Sequence, residues 1–123
     1  MPDTLKPIAI RFLQLAARGD VDAAFASVAE GFLHHNPYFA SDAASLKKAM
    51  AENARLHPAK RFEVLRALQD GELVAVHSRA RLTADGPDIA LVHLFRFVDR
   101  QIAELWDIGQ PAPENMANQA GMF

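Results

Sequence analysis

Polar side chains that interrupt an apolar strand pair are where chemistry is first sought in this sequence. In the run from Asp88 to Gln110, DIALVHLFRFVDRQIAELWDIGQ, the residues His93, Arg96, Glu104 and Asp107 stand among Phe95, Phe97, Leu105 and Trp106. A sheet needs neither an acid nor an imidazole to fold, so the mixture points to a lined pocket with Phe95, Leu105 and Trp106 as apolar wall. Asp107, between Trp106 and Ile108, is the candidate base: a carboxylate partly withdrawn from water can take up and return a proton near neutral pH. The plainer alternative is a strand-end carboxylate in water, or one bonded to Arg79 or Arg96. His93 could polarise a carbonyl or relay the Asp107 proton; it could equally be a core histidine or an interface residue.

A second cluster is FLHHNPYF, residues 32–39. His34 and His35 are adjacent, so on a strand they point apart and at most one enters a pocket. His35 with Asn36 and Tyr38 could orient a ligand oxygen, or Asn36 and Pro37 could simply shape a turn. Phe12 and Phe95 are the aromatic residues expected to line a pocket; most of the others belong in the core. His57 before Pro58 reads as a helix-end residue. No H-x-H or HExxH pairing is present, so no metal is expected, and without a glycine-rich phosphate loop or dinucleotide fingerprint no cofactor is expected. Ser78 points away from its neighbour His77 and lacks a positioned base.

These residues must be placed by an α+β chain. Leu5, Ile8, Phe12 and Leu15 share one face of a helix from about Thr4 to Arg18, capped by Thr4 and stopped at Gly19. Asp20 caps a shorter helix carrying Val21, Ala24, Phe25 and Val28 and ending at Gly31. Residues 32–39 form a short edge strand or an irregular crossing, since Pro37 biases Asn36 toward extended geometry. Ser41 or Asp42 caps a third helix with Leu46, Ala49, Met50 and Leu56 inward. After Pro58 the period becomes two: Phe62, Val64, Arg66 and Leu68 alternate with Glu63, Leu65 and Ala67. Turns at Asp70-Gly71, at Asp85-Gly86-Pro87 and near Asp99-Arg100 then define a meander of four antiparallel strands. A two-residue loop at the last turn puts His93 beside Trp106. A three-residue loop with a bulge, which we favour because neither Asp99 nor Arg100 is glycine, puts His93 and Phe95 on the face of Leu105 and Asp107. Three helices cover one sheet face; the other remains apolar and is expected to meet a second copy of the chain.

With 123 residues, the chain is expected to be one domain, residues 1–123, with an irregular tail over 109–123. A net charge of −2 gives no footprint for nucleic acid or an anionic membrane. No cysteine is present, which excludes disulfides and thiolate chemistry. No long apolar run and no basic leader are seen, so a cytoplasmic location is expected.

The layout, with HHNP at 34–37, VAVHS at 74–78, HLFRF at 93–97 and ELWD at 104–107, resembles the SnoaL-like proteins of the nuclear-transport-factor-2-like superfamily, which also holds ketosteroid isomerase and limonene epoxide hydrolase. The resemblance implies a cone: a curved antiparallel sheet of four strands or more, wrapped by three helices around a deep apolar pocket. It implies Asp107 as the acid/base of an aldol-type cyclisation or isomerisation of a small apolar carbonyl compound, without cofactor. It adds His77 as a pocket position. Asn36 and His93 stand where ketosteroid isomerase has its base and its proton-donating acid, which argues against that mechanism. Ala75, His77 and Arg79 leave the epoxide hydrolases' Asp-Arg-Asp set incomplete. The fold hosts many functions, so a non-catalytic binding module and a dimerisation or accessory domain stand as alternatives.

Overall fold

The structure, a computed structural model, describes residues 4–123; the first three residues of the leader reading lie outside them. Helices α1 (Lys6–Ala17), α2 (Val21–Phe25) and α3 (Ala43–Leu56) pack against a five-stranded sheet of β1 (Val28–His34), β2 (Arg61–Asp70), β3 (Leu73–Arg81), β4 (Ile89–Val98) and β5 (Gln101–Pro111). The strand order is β1-β5-β4-β3-β2. β2 through β5 form the antiparallel meander, and β1 joins its edge parallel to β5. The sheet is curved, mixed and unclosed.

α1 begins one residue later than its sequence suggests. Leu5, not Thr4, holds the N-cap position and offers no side-chain cap; its backbone N–H is instead satisfied by the Gln69 amide oxygen at 2.9 Å. Gly19 ends the helix with φ +84, and a Cβ there would lie 2.9 Å from that of Ala54 on α3, so the residue combines a left-handed stop with a close helix approach. α3 is capped by Asp42, whose carboxylate accepts from the Ser45 N–H at 2.9 Å. Leu46 and Met50 face inward as expected, but Leu56 is exposed, because the helix ends there and its last turn passes beyond the sheet.

Three local readings are corrected. The second helix does not reach Gly31: it ends at Phe25, and Val28 enters the sheet opposite Ile102, whose N–H donates to Ser27 O at 2.8 Å. A β-branched residue beside an open strand edge gains more as a strand than as a helix end. Gly31, at φ +80, sits in the irregular stretch where β1 shifts register against β5. In β2 the alternation breaks at Leu65, where a bulge separates Val64 from Arg66. Phe62, Val64 and Ala67 therefore pack on the core, while Arg66 and Leu68 face out. In the β4–β5 hairpin the loop has two residues: Val98 pairs with Gln101, and Asp99 and Arg100 take φ +51 and +64. These are the left-handed angles of a primed hairpin turn, adopted without glycine. The bulge lies further along, at Ala103, between the pairs Phe97–Ile102 and Arg96–Glu104. The outcome is the favoured face assignment by a different route, with His93 opposite Asp107 and Phe95 opposite Leu105.

The core fills the space between α1 and the inner sheet face. Phe12, Phe95, Phe97, Ile102 and Leu105 are fully buried there with Val74 and Val76. The Phe12 ring meets Phe95 and Phe25 edge-on, at 5.9 and 5.3 Å between centroids.

Candidate functional site

Beyond this packed floor the inner face opens into a pocket of about 260 Å³. Its apolar walls come from α1 (Leu13, Ala16), α3 (Leu46, Met50) and the strands (Phe62, Leu91), and its polar groups are Asn36, Asn53, Lys60, His93 and Asp107. Asp107 is the one carboxylate in the lining among the described residues. Strand alternation with the Ala103 bulge aims it inward, directly across from His93.

Both Asp107 oxygens face a polar neighbour. Oδ2 accepts from Asn36 Nδ2 at 3.0 Å, and Oδ1 stands 3.4 Å from His93 Nε2. The second separation is longer than a well-formed hydrogen bond and leaves Oδ1 within reach of a substrate proton. His93 is 6% exposed, and its Nδ1 is buried with no hydrogen-bond partner among the described residues. Burial pushes the imidazole pKa below its usual value, opposed by the nearby Asp107 charge. The ring is thus held toward its neutral form beside a carboxylate.

Asn36 is itself held from three sides. Its N–H donates to His34 Nδ1 at 3.1 Å, its Oδ1 accepts from the Tyr38 N–H at 3.0 Å, and its Nδ2 reaches Asp107. His34 is buried at the end of β1, and its Nε2 lies 2.6 Å from Ala40 O. These partners fix the tautomer: Nε2–H donates to the carbonyl and Nδ1 accepts from Asn36. The HHNP segment is therefore a turn, and of its residues Asn36 presents an amide to the pocket carboxylate.

Of the residues expected to form the site, Asp107, His93 and Asn36 come together in the pocket wall. Phe12, Phe95 and Leu105 lie in the core beneath it and do not line it. Four others are elsewhere. His77 pairs across the strands with Val92 and Arg66, on the outer face; its ring contacts the Arg66 guanidinium and stacks with Phe123 at 6.2 Å. The parity of β3 that turns Val76 and Ser78 inward turns His77 out. His35 and Trp106 also point out, their rings stacked at 4.9 Å, with His35 bonded to Glu104 at 2.6 Å. Tyr38, at 85% exposure, lies on the loop surface. The plainer partners proposed for Asp107 are engaged otherwise: Arg79 binds Asp88 and Arg96 binds Glu104. His34, Asn53 and Lys60 are the residues sequence reasoning passed over. His34 was recoverable from alternation, since inward Phe32 implies inward His34; Lys60, in a loop before β2, carries no periodic signal.

A curved sheet backed by three helices, with the polar end of an apolar pocket at the last strand, defines the nuclear-transport-factor-2-like class. Within it the SnoaL-like domain model matches residues 9–105, and the chain belongs to that family. Three solved structures illustrate the likeness. AclR, a proposed hydroxylase from Streptomyces galilaeus, has TM-score 0.74 and 20% identity over 86% of this chain and 88% of its own. A SnoaL-like protein of unknown function from Burkholderia thailandensis has TM-score 0.71 and 21% identity over 91% of this chain and 100% of its own. A proposed ketosteroid isomerase from Kribbella flavida has TM-score 0.73 and 18% identity over 94% of this chain and 84% of its own. At such identities they share the fold. No curated protein matches the sequence.

Proposed function

We propose that the protein catalyses cofactor-free proton transfer next to a carbonyl in a small apolar molecule, with Asp107 as the base. One observation carries this reading: a carboxylate lining the pocket, Asp107, is oriented by an amide on one oxygen and faces a buried imidazole with the other. A substrate seated on the apolar walls would place its acidic C–H against Oδ1. Asp107 takes that proton, and the His93 imidazole lies close enough to donate toward the enolate oxygen. The protonated carboxyl then returns the proton to another carbon, giving isomerisation. Alternatively the enolate carbon attacks a second carbonyl of the same molecule and Asp107 protonates the new alkoxide, giving aldol closure. His77 takes no part, being on the other side of the sheet.

The test is deuterium exchange from heavy water into a panel of ketones, enones and dicarbonyls. Wild type should exceed the buffer rate, and Asp107→Asn should lose the excess, by about 10²–10⁴-fold for a positioned base. Exchange that survives in Asp107→Asn would remove this assignment and leave the pocket as a binding site.

We further infer a homodimer through the outer sheet face. Leu68, Leu73 and Ile108 are exposed there beside Trp106, at 70%, 50% and 57%, and no helix covers them. An apolar face of this kind is what an isologous interface buries. Light scattering at micromolar concentration should give twice the chain mass, and Leu73→Arg should return it to one chain mass; a monomeric wild type would defeat the inference.

A further inference from the structure

The acid in the pocket is matched, at the other end, by bases. Lys60 lines the pocket and also lines the hollow that adjoins it, together with Arg18 and His57. The two cavities share Ala17, Lys60 and Phe62, so Lys60 stands at the mouth where one passes into the other. Among the described residues no acid lines the hollow, and Asp107 is the only one in the pocket. A chain of net charge −2 thus presents a locally cationic entrance, which draws anions inward.

Lys60 is half-buried, and its Nζ donates to the neutral amide oxygen of Asn53, also in the pocket wall. It forms no ion pair among the described residues, whereas Arg55, Arg79, Arg81 and Arg96 each have a carboxylate. Burial pushes its pKa below the ordinary value. A partly desolvated ammonium without a counter-ion is stabilised by any anion that enters with the ligand. Lys60 precedes β2 and Asp107 lies on β5, three strands away. That separation is about 14 Å along the sheet, less the reach of the lysine side chain. An anionic group drawn to Lys60 is therefore kept away from the Asp107 charge.

We propose that the pocket takes small apolar carbonyl acids, with the carboxylate paired to Lys60 at the mouth and the carbonyl carried inward to Asp107. This rests on the role given to Asp107 for the reacting end, and it adds the chemical class and direction of entry of the substrate. The pocket volume, about 260 Å³, sits at the low end of ligand sites and suits a single ring with a short chain.

The experiment is calorimetric titration with benzoylpropionate, benzoylbutyrate and benzoylvalerate, each beside its primary amide. At least one acid should bind about ten to a hundred times more tightly than its amide, the worth of a charge-assisted hydrogen bond. Lys60→Met should bring that pair to parity, and Lys60→Arg should restore the preference; melting temperatures verify that the variants are folded. Equal binding within every pair, a preference that persists in Lys60→Met, or no binding by any acid of the three overturns the proposal. Binding is read without turnover, so the two readings fail separately. Loss of the acid preference with Asp107-dependent exchange intact sinks only this inference; preference without exchange sinks only the catalytic one.

Discussion

Strand β5 presents an acid to a histidine on each face of the sheet, Glu104 to His35 outside and Asp107 to His93 inside, and the two pairs behave oppositely. Outside, His35 and Glu104 meet at 2.6 Å, Arg96 adds a second bond to the same carboxylate at 2.9 Å, and Trp106 stacks on the imidazole. Hydrogen bonds from His35 and then Arg96 hold the Glu104 pKa below its usual value. Each Glu104 oxygen there has a donor, and an ion pair with an exposed partner contributes little to stability. Inside, His93 and Asp107 stand 3.4 Å apart, one imidazole nitrogen has no partner among the described residues, and burial holds the ring toward neutrality. Both are histidine–carboxylate pairs, and they lie on opposite faces of one sheet. What differs is exposure: His35 is open to solvent and an arginine completes the outer pair, whereas the inner pair is withdrawn from solvent and left for a ligand to complete.

The sharpest way to test that contrast is to neutralise each acid in turn. Asp107→Asn should cost the exchange activity about 10²–10⁴-fold, equivalent to roughly 3–5 kcal/mol of transition-state stabilisation. Glu104→Gln, one residue type and three positions away, should leave it within about twofold, because nothing on the outer face reaches the pocket. A comparable loss in both variants would mean that the hairpin acts through its shape rather than through the inner carboxylate.

The contrast also explains how far the sequence could be read. The helix–meander order, the inward aim of Asp107 and His93, and the apolar outer face all follow from periodicities that burial enforces on both faces of a strand. Three errors share a cause. The alternation of β2 slips at Leu65, the β4–β5 register at Ala103, and the second helix stops short so that Val28 can join β5. Bulges and an added parallel edge strand are decided by long-range pairing, and local pattern does not encode them. Asp99 and Arg100 show the same: their left-handed angles are imposed by the strands they join. The resemblance puts His77 in the pocket and chemistry puts His35 there, but alternation beside Val76 and His34 sends both outward. Lys60 and His34, one in a loop and one behind a turn, act through neighbours that only the folded chain supplies.

A smaller effect separates the two pairs by pH. The unfolded chain protonates a histidine near the ordinary value of 6.5, and the buried His93 resists it. The unfolded state therefore binds the extra proton, and stability is fully present above about pH 6.5 and declines below it, down to the lowered folded-state pKa. The slope from one such group is at most about 1.4 kcal/mol per pH unit. Glu104 is also lowered, from 4.5, so its contribution persists until the pH falls below that value. Urea titrations between pH 7 and 5 should thus show an acid loss that flattens in His93→Leu and is unchanged in Glu104→Gln. At pH 7, His93→Leu should be as stable as wild type or more so, by up to about 1 kcal/mol, since an apolar side chain of similar size removes an unpaired buried nitrogen. A variant that gains stability while losing exchange would mark His93 as retained for chemistry at the expense of the fold. An unchanged acid limb in His93→Leu would instead mean that the ring titrates alike folded and unfolded, and the inner pair would be no more poised than the outer one.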